Sequence, residues 1–247
     1  MTMLAGKTAV VTGAAGPAAL AVVRGLLEDG AQVALVDPDA MRLDSLVRFL
    51  RGTTVAVPCD SSDAEAVREA QQKVEKVLGQ VDILVNAVEA PPASRIEATD
   101  PAEWRRITAA HLDSAFYWSR TLIPGMRRRG GGRIVNVISL AAKSAGADSG
   151  AALAAAQGGL AALTFALARE TAAQGITVNA VAVGSIEGSS AIEPLNEAQR
   201  RQLLASIPVG RFCKPEEFAY AVRFLASPLA AFITGEILDV NGGVQMD

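Results

Sequence analysis

Short runs rich in β-branched residues recur along this chain, each followed by a stretch of helical periodicity, and this alternation limits the fold more than any other feature. The strand-like runs are Thr8–Thr12, Gln32–Val36, Thr54–Val57, Ile83–Val85, Arg133–Ile138, Thr177–Val181 and Ile237–Val240. They are apolar on both faces, as strands of a parallel sheet covered by helices on either side must be. Between them lie patterns of 3.6-residue period, such as Val67, Ala70, Val74 and Val77 between Ser62 and Gly79. Asp39 and Ser62 stand where helix N-caps belong. Strict alternation predicts a Rossmann-like, doubly wound parallel α/β sheet. No linker, repeat or low-complexity tract interrupts it, so residues 1–247 are expected to form a single domain.

Composition narrows the function classes. Half of the 247 residues are apolar and a fifth are charged, enough to bury a sizeable core. The net charge of -3, with no basic stripe, argues against a nucleic-acid partner. Cys59 and Cys213 are too few for a disulfide framework, have no metal-ligand spacing, and fit a reducing cytoplasm. Met1–Lys7 lead into the first strand without the features of a signal peptide. No run reaches the roughly 18 uninterrupted apolar residues of a membrane span. Ala151–Ala168, rich in Ala but containing Gln157, Gly158 and Gly159, reads as a packed helix.

After the first strand comes Thr12-Gly13-Ala14-Ala15-Gly16-Pro17-Ala18-Ala19, then an amphipathic stretch ending at Gly30-Ala31. A glycine-rich turn before a helix lets backbone N–H groups hold a pyrophosphate. Further on stand Asp37, Asp60, Val81–Asn86, Gly132–Asn136, Ile176–Val181, Gly210-Arg211-Phe212, Lys214–Glu217, Phe232–Glu236 and Asn241-Gly242-Gly243. Together these segments resemble the short-chain dehydrogenase/reductase family, in its ketoacyl-reductase branch, over nearly the whole chain. The resemblance implies a pyrophosphate loop T-G-x-x-x-G-x-G, a nicotinamide cofactor, and a tyrosine–lysine pair aided by a serine and an asparagine.

Set against that pattern, the ligand-facing positions depart. The family's second and third loop glycines fall on Pro17 and Ala19, leaving Gly13 and an offset Gly16. Pro17 has no N–H to offer a phosphate, and Ala19 adds a Cβ. One lost charge-assisted donor costs roughly 1.5–3 kcal/mol, about 10- to 100-fold in affinity. The family's N-N-A-G reads Asn86-Ala87-Val88-Glu89, so Glu89 brings bulk and negative charge beside an anionic ligand. Asp37 suits the ribose 2′-hydroxyl of NAD, but Asp37-Pro38-Asp39-Ala40 is equally a turn into a capped helix. After the sixth strand, Val183-Gly184 replaces the family's prolyl-glycine and Gly188 its threonine. Weak NAD binding at most, with no metal, is the expectation.

The reacting groups are the larger loss. A phenol near pKa 10 works as general acid only if a neighbouring ammonium pulls it toward neutrality, and i, i+4 spacing puts both on one helix face. Here the tyrosine position is Leu153, the lysine position Gln157 and the asparagine position His111; of the four only Ser139 is kept. General acid–base groups contribute about 10²–10⁴-fold, and groups acting as a unit fail together. Tyr117 and Tyr220 fall on packing helices, and Lys143 has no phenol to serve. Losses gather at ligand-facing positions while strand cores and helix faces are kept, so the fold itself is what the chain preserves.

The first expectation is therefore a non-catalytic subunit that stabilises and completes an active paralogue, an NAD(P)-dependent oxidoreductase of 3-hydroxyacyl or 3-ketoacyl thioesters. The assembly would be a hetero-oligomer, a tetramer by family habit. The resemblance is to the inactive member of such pairs, as in the hydroxyacyl-CoA dehydrogenase of the benzylsuccinate pathway. The second reading is a free-standing enzyme using Ser139 and His111 as nucleophile and base, with Asp148 in the loop beyond. The third is a nucleotide-sensing binding protein.

Overall fold

The computed structural model describes residues 2–89, 94–144 and 150–246. Its strands are β1 (Thr8–Thr12), β2 (Gln32–Asp37), β3 (Thr54–Pro58), β4 (Ile83–Asn86), β5 (Gly132–Ser139), β6 (Ile176–Val183) and β7 (Ile237–Val240). All pair in parallel in the order β3-β2-β1-β4-β5-β6-β7. The doubly wound expectation holds. Five strands run one or two residues past the apolar pattern at an end, because pairing continues through polar positions: Asp37 against Pro58, Asn86 against Asn136, Ser139 against Val183. Those extra residues carry side chains to the carboxyl edge of the sheet.

Helices cover both faces. On one side α1 (Pro17–Glu28), α2 (Ala40–Phe49) and α9 (Pro215–Ala226) enclose Val22, Leu26, Leu35, Leu43, Val85 and Phe218. On the other, α3 (Ala64–Leu78), α5 (Ser114–Arg128) and α7 (Gly150–Thr171) enclose Val67, Val74, Leu84, Trp118, Met126 and Ala168. Shorter helices α4 (Pro101–Thr108), α6 (Ala141–Ser144) and α8 (Glu197–Ala205) fill the connections. By length and apolar character alone Ala151–Gln174 could cross a bilayer. In the fold its α7 part lies on the sheet, with Ala152, Leu160, Thr164 and Ala168 buried.

Asp39 caps α2 as expected, accepting from the N–H of Arg42 at 3.0 Å. Ser62 does not cap α3. Asp63 does, its carboxylate accepting from the N–H groups of Glu65 and Ala66. An ionised acceptor facing two first-turn donors holds the helix start more strongly than a hydroxyl one residue earlier. Ser62 instead donates its Oγ to Asp60 at 2.6 Å. Asp29 and Arg223 form a bidentate ion pair at 2.6 and 2.7 Å, tying the end of α1 to α9. Gly25 lets the two helices approach, since a Cβ there would collide with the Arg223 side chain.

Candidate functional site

Strand order reverses between β1 and β4, and ligands of doubly wound sheets bind in the crevice at that point, outside the carboxyl ends of the strands. Here Thr12 lies against Asn86 and Asn86 against Asn136. Thr12 Oγ1 accepts from the N–H of Ala87 at 3.3 Å. Gly13 follows with φ +64°, and a Cβ on it would stand 2.8 Å from both the Ala87 oxygen and the Val88 Cα. The exits of β1 and β4 touch backbone to backbone, which only glycine permits at this position.

A pyrophosphate seat should open at the start of α1, but it is filled. Gly16 is the N-cap in extended conformation, and its own N–H donates to the Gly13 oxygen at 3.0 Å. Pro17 opens the helix and contributes no donor. The next N–H, that of Ala18, donates to Glu89 Oε1 at 3.1 Å. Ala19, at the third glycine position, is fully buried and packs into the core beneath the loop. Asp37 accepts from the N–H groups of Ala15 (3.2 Å) and Asp39 (3.0 Å), which is the turn-stabilising arrangement. Asp60 accepts twice from Ser62, and these bonds hold its carboxyl below the usual carboxylate range. As they stand, these residues do not fit a dinucleotide's pyrophosphate. The sequence pattern marks Glu89 as an intruder; that its carboxylate reaches the helix end is visible only in three dimensions.

Deeper in the crevice, β5 and α7 bring the expected reaction positions together. Leu153 is buried in a small apolar cluster with Ile107 of α4 and with Ala152 and Ala156 of its own helix. Gln157, one turn on, is 2% exposed. Its Oε1 accepts from the backbone N–H of Ser139 at 3.0 Å, and its Nε2 lies 3.4 Å from His111 Nδ1. With the amide oriented this way His111 carries its proton on Nε2. His111 sits in a π-turn, Ala109–Asp113, joining α4 to α5, and not in a regular helix. Burial, with the positive charge of Arg106 adding to it, pushes its pKa down to about 4. A polar ladder anchors the same helix to the sheet. Asn86 Nδ2 donates to Asn136 Oδ1 (2.8 Å) and Asn136 Nδ2 to Thr164 Oγ1 (2.9 Å).

Neither a phenol nor an ammonium stands at the two expected reaction positions. Leu153 has no proton to exchange, and Gln157 is a neutral amide engaged in holding β5 to the π-turn. No hydrogen bond joins His111 to Ser139 Oγ among the described residues. A ring whose pKa is near 4 is also a weak base, where a nucleophile–base pair needs one nearer the working pH. Asp148, the third partner considered for that pair, lies outside the described residues. Lys143 makes an ion pair with Asp239 of β7 at 2.7 Å. Tyr117 and Tyr220 lie on α5 and α9. Cys59 and Cys213 are unpaired with one another, and no cluster of metal-ligating side chains occurs among the described residues.

The chain matches, over residues 13–245, a family model described as enoyl-(acyl carrier protein) reductase. It is 37% identical over 243 residues to the 3-oxoacyl-(acyl-carrier-protein) reductase FabG of Vibrio cholerae, covering 98% of this chain and 99% of that one. It is 36% identical over 241 residues to the (2S)-((R)-hydroxy(phenyl)methyl)succinyl-CoA dehydrogenase subunit BbsC of Thauera aromatica, covering 96% and 94%. A crystal structure from Sinorhizobium meliloti, described as a short-chain alcohol dehydrogenase, superposes with a TM-score of 0.92 at 32% identity, covering 98% of each chain.

Proposed function

We propose that this chain, which belongs to the short-chain dehydrogenase/reductase family, is a non-catalytic subunit that stabilises and completes an active NAD(P)-dependent paralogue. The observation that carries the reading is the Gln157 amide. It bridges the Ser139 N–H and His111 at the place where the family's ammonium would stand, with Leu153 in apolar packing where the phenol would be. Both positions have become parts of the core. The assembly is a cytoplasmic hetero-oligomer, a tetramer, and its reaction is oxidoreduction of 3-hydroxyacyl or 3-ketoacyl thioesters. Relatives named as a 3-oxoacyl reductase and as a dehydrogenase subunit acting on a CoA ester support that substrate class. In this chain NAD binds weakly at most.

The test has two arms. Tagged protein purified from its native host is expected to bring down a paralogue with intact tyrosine and lysine, and the chain alone to show no nicotinamide turnover with 3-ketoacyl or 3-hydroxyacyl thioesters. Turnover by the isolated polypeptide would sink the proposal, and so would recovery of a homo-oligomer with no paralogue.

A further inference from the structure

The loop leaving β4 places a carboxylate where a doubly wound fold usually receives a phosphate. Glu89 Oε1 accepts from the Ala18 N–H at 3.1 Å, the first donor of α1 beyond Pro17. Glu89 Oε2 turns the other way, accepting from the N–H (3.2 Å) and the hydroxyl (2.7 Å) of Ser190, in the loop after β6 and 101 residues distant in sequence. Gly16 makes room for the carboxylate, since a Cβ there would stand 2.8 Å from Oε1. The helix start favours negative charge, and three hydrogen bonds to one ionised group from two separate segments fix its position.

We infer that Glu89 is a tethered anion that takes the pyrophosphate's seat and straps the loop after β6 across the crevice. The two effects reinforce each other. A dinucleotide must displace a like-charged group from the helix end, and the group it displaces also holds the covering loop down. The glycine at position 16 then serves the approach of the chain's own carboxylate. The barrier to the cofactor is thus built in separately from the loss of the phenol and the ammonium, and neither depends on the other.

The variants E89A and E89Q in the full chain test the strap. NADH affinity is measured by calorimetry, and amide hydrogen exchange is followed in the segment Ile186–Glu193. E89A is expected to bind NADH about tenfold or more tightly than the wild type, the gain from freeing one charge-assisted donor. The Ser190 amide is expected to exchange about tenfold or more faster. E89Q keeps the shape without the charge and should fall between on both readouts; it carries the test if E89A does not fold. If either readout stays within twofold of wild type in a folded variant, the strap is refuted. Neither measurement depends on Leu153 or Gln157, so its failure would leave the non-catalytic reading where it stands.

Discussion

The chain has one histidine, which makes the buried ring of His111 a clean reporter. Its pKa falls from 6.5 in the unfolded chain to about 4 in the folded one, first through burial and then through the charge of Arg106. An unfolded chain therefore takes up a proton as pH drops through 6.5, while the folded chain does not until about 4. Stability from this group is complete above 6.5 and is lost progressively on acidification toward 4. At about 1.4 kcal/mol per pH unit, the loss comes to roughly 2.5 kcal/mol by pH 4.5. Carboxylates also weaken the protein in acid, so the measurement must be a difference. Urea unfolding of wild type and H111N at pH 7, 6, 5 and 4.5 isolates the ring, because asparagine does not titrate. The wild type should lose about 2.5 kcal/mol more than the variant over that range. A difference flat to within about 0.5 kcal/mol, or a ring NMR signal titrating near 6.5, would refute the account of His111 as a neutral, packed residue.

Two further outcomes follow from buried polar contacts. Q157L preserves volume but leaves the Ser139 N–H without its acceptor. It should cost roughly 1–3 kcal/mol in denaturant unfolding, and a cost below about 0.5 kcal/mol would mean that the amide is not structural. D29A leaves Arg223 with Glu28, at 3.7 Å, as its remaining carboxylate among the described residues, and should cost about 2–3 kcal/mol, lowering Tm by roughly 4–12 °C; G25A should act in the same direction by pushing Arg223 off its partner. An unchanged Tm in D29A would show that the link between α1 and α9 is carried by apolar packing alone.

The layers of the fold were legible in the sequence because each strand is a compact β-branched run and each helix repeats its apolar residues on one face. The substituted reaction positions were legible too, since naming them needs only residue identities at positions whose register the flanking motifs secure: Leu153, Gln157 and His111. What escaped was how the substitutes are used. Gln157 carries no sequence sign of bridging residues 18 and 46 positions away. Glu89 reaches partners 71 and 101 positions distant. The Asp29–Arg223 pair spans 194 residues. The π-turn around His111 left no local signal either, because Ala109–Asp113 reads as continuous helix. Side-chain reach across the carboxyl edge of a sheet is a three-dimensional property, and periodicity reports only the faces of single elements.

The Asn86–Asn136–Thr164 ladder has a bearing on protein engineering. Thr164 stands seven residues after Gln157, about two helical turns, and its bond to Asn136 fixes how α7 is rotated on its axis. A phenol and an amine grafted at 153 and 157 would thus meet the cleft on a platform already aligned, without the helix having to re-dock. On the proposed non-catalytic reading, the chain would be a blank on which the contribution of two side chains to hydride chemistry could be weighed apart from the scaffold that presents them.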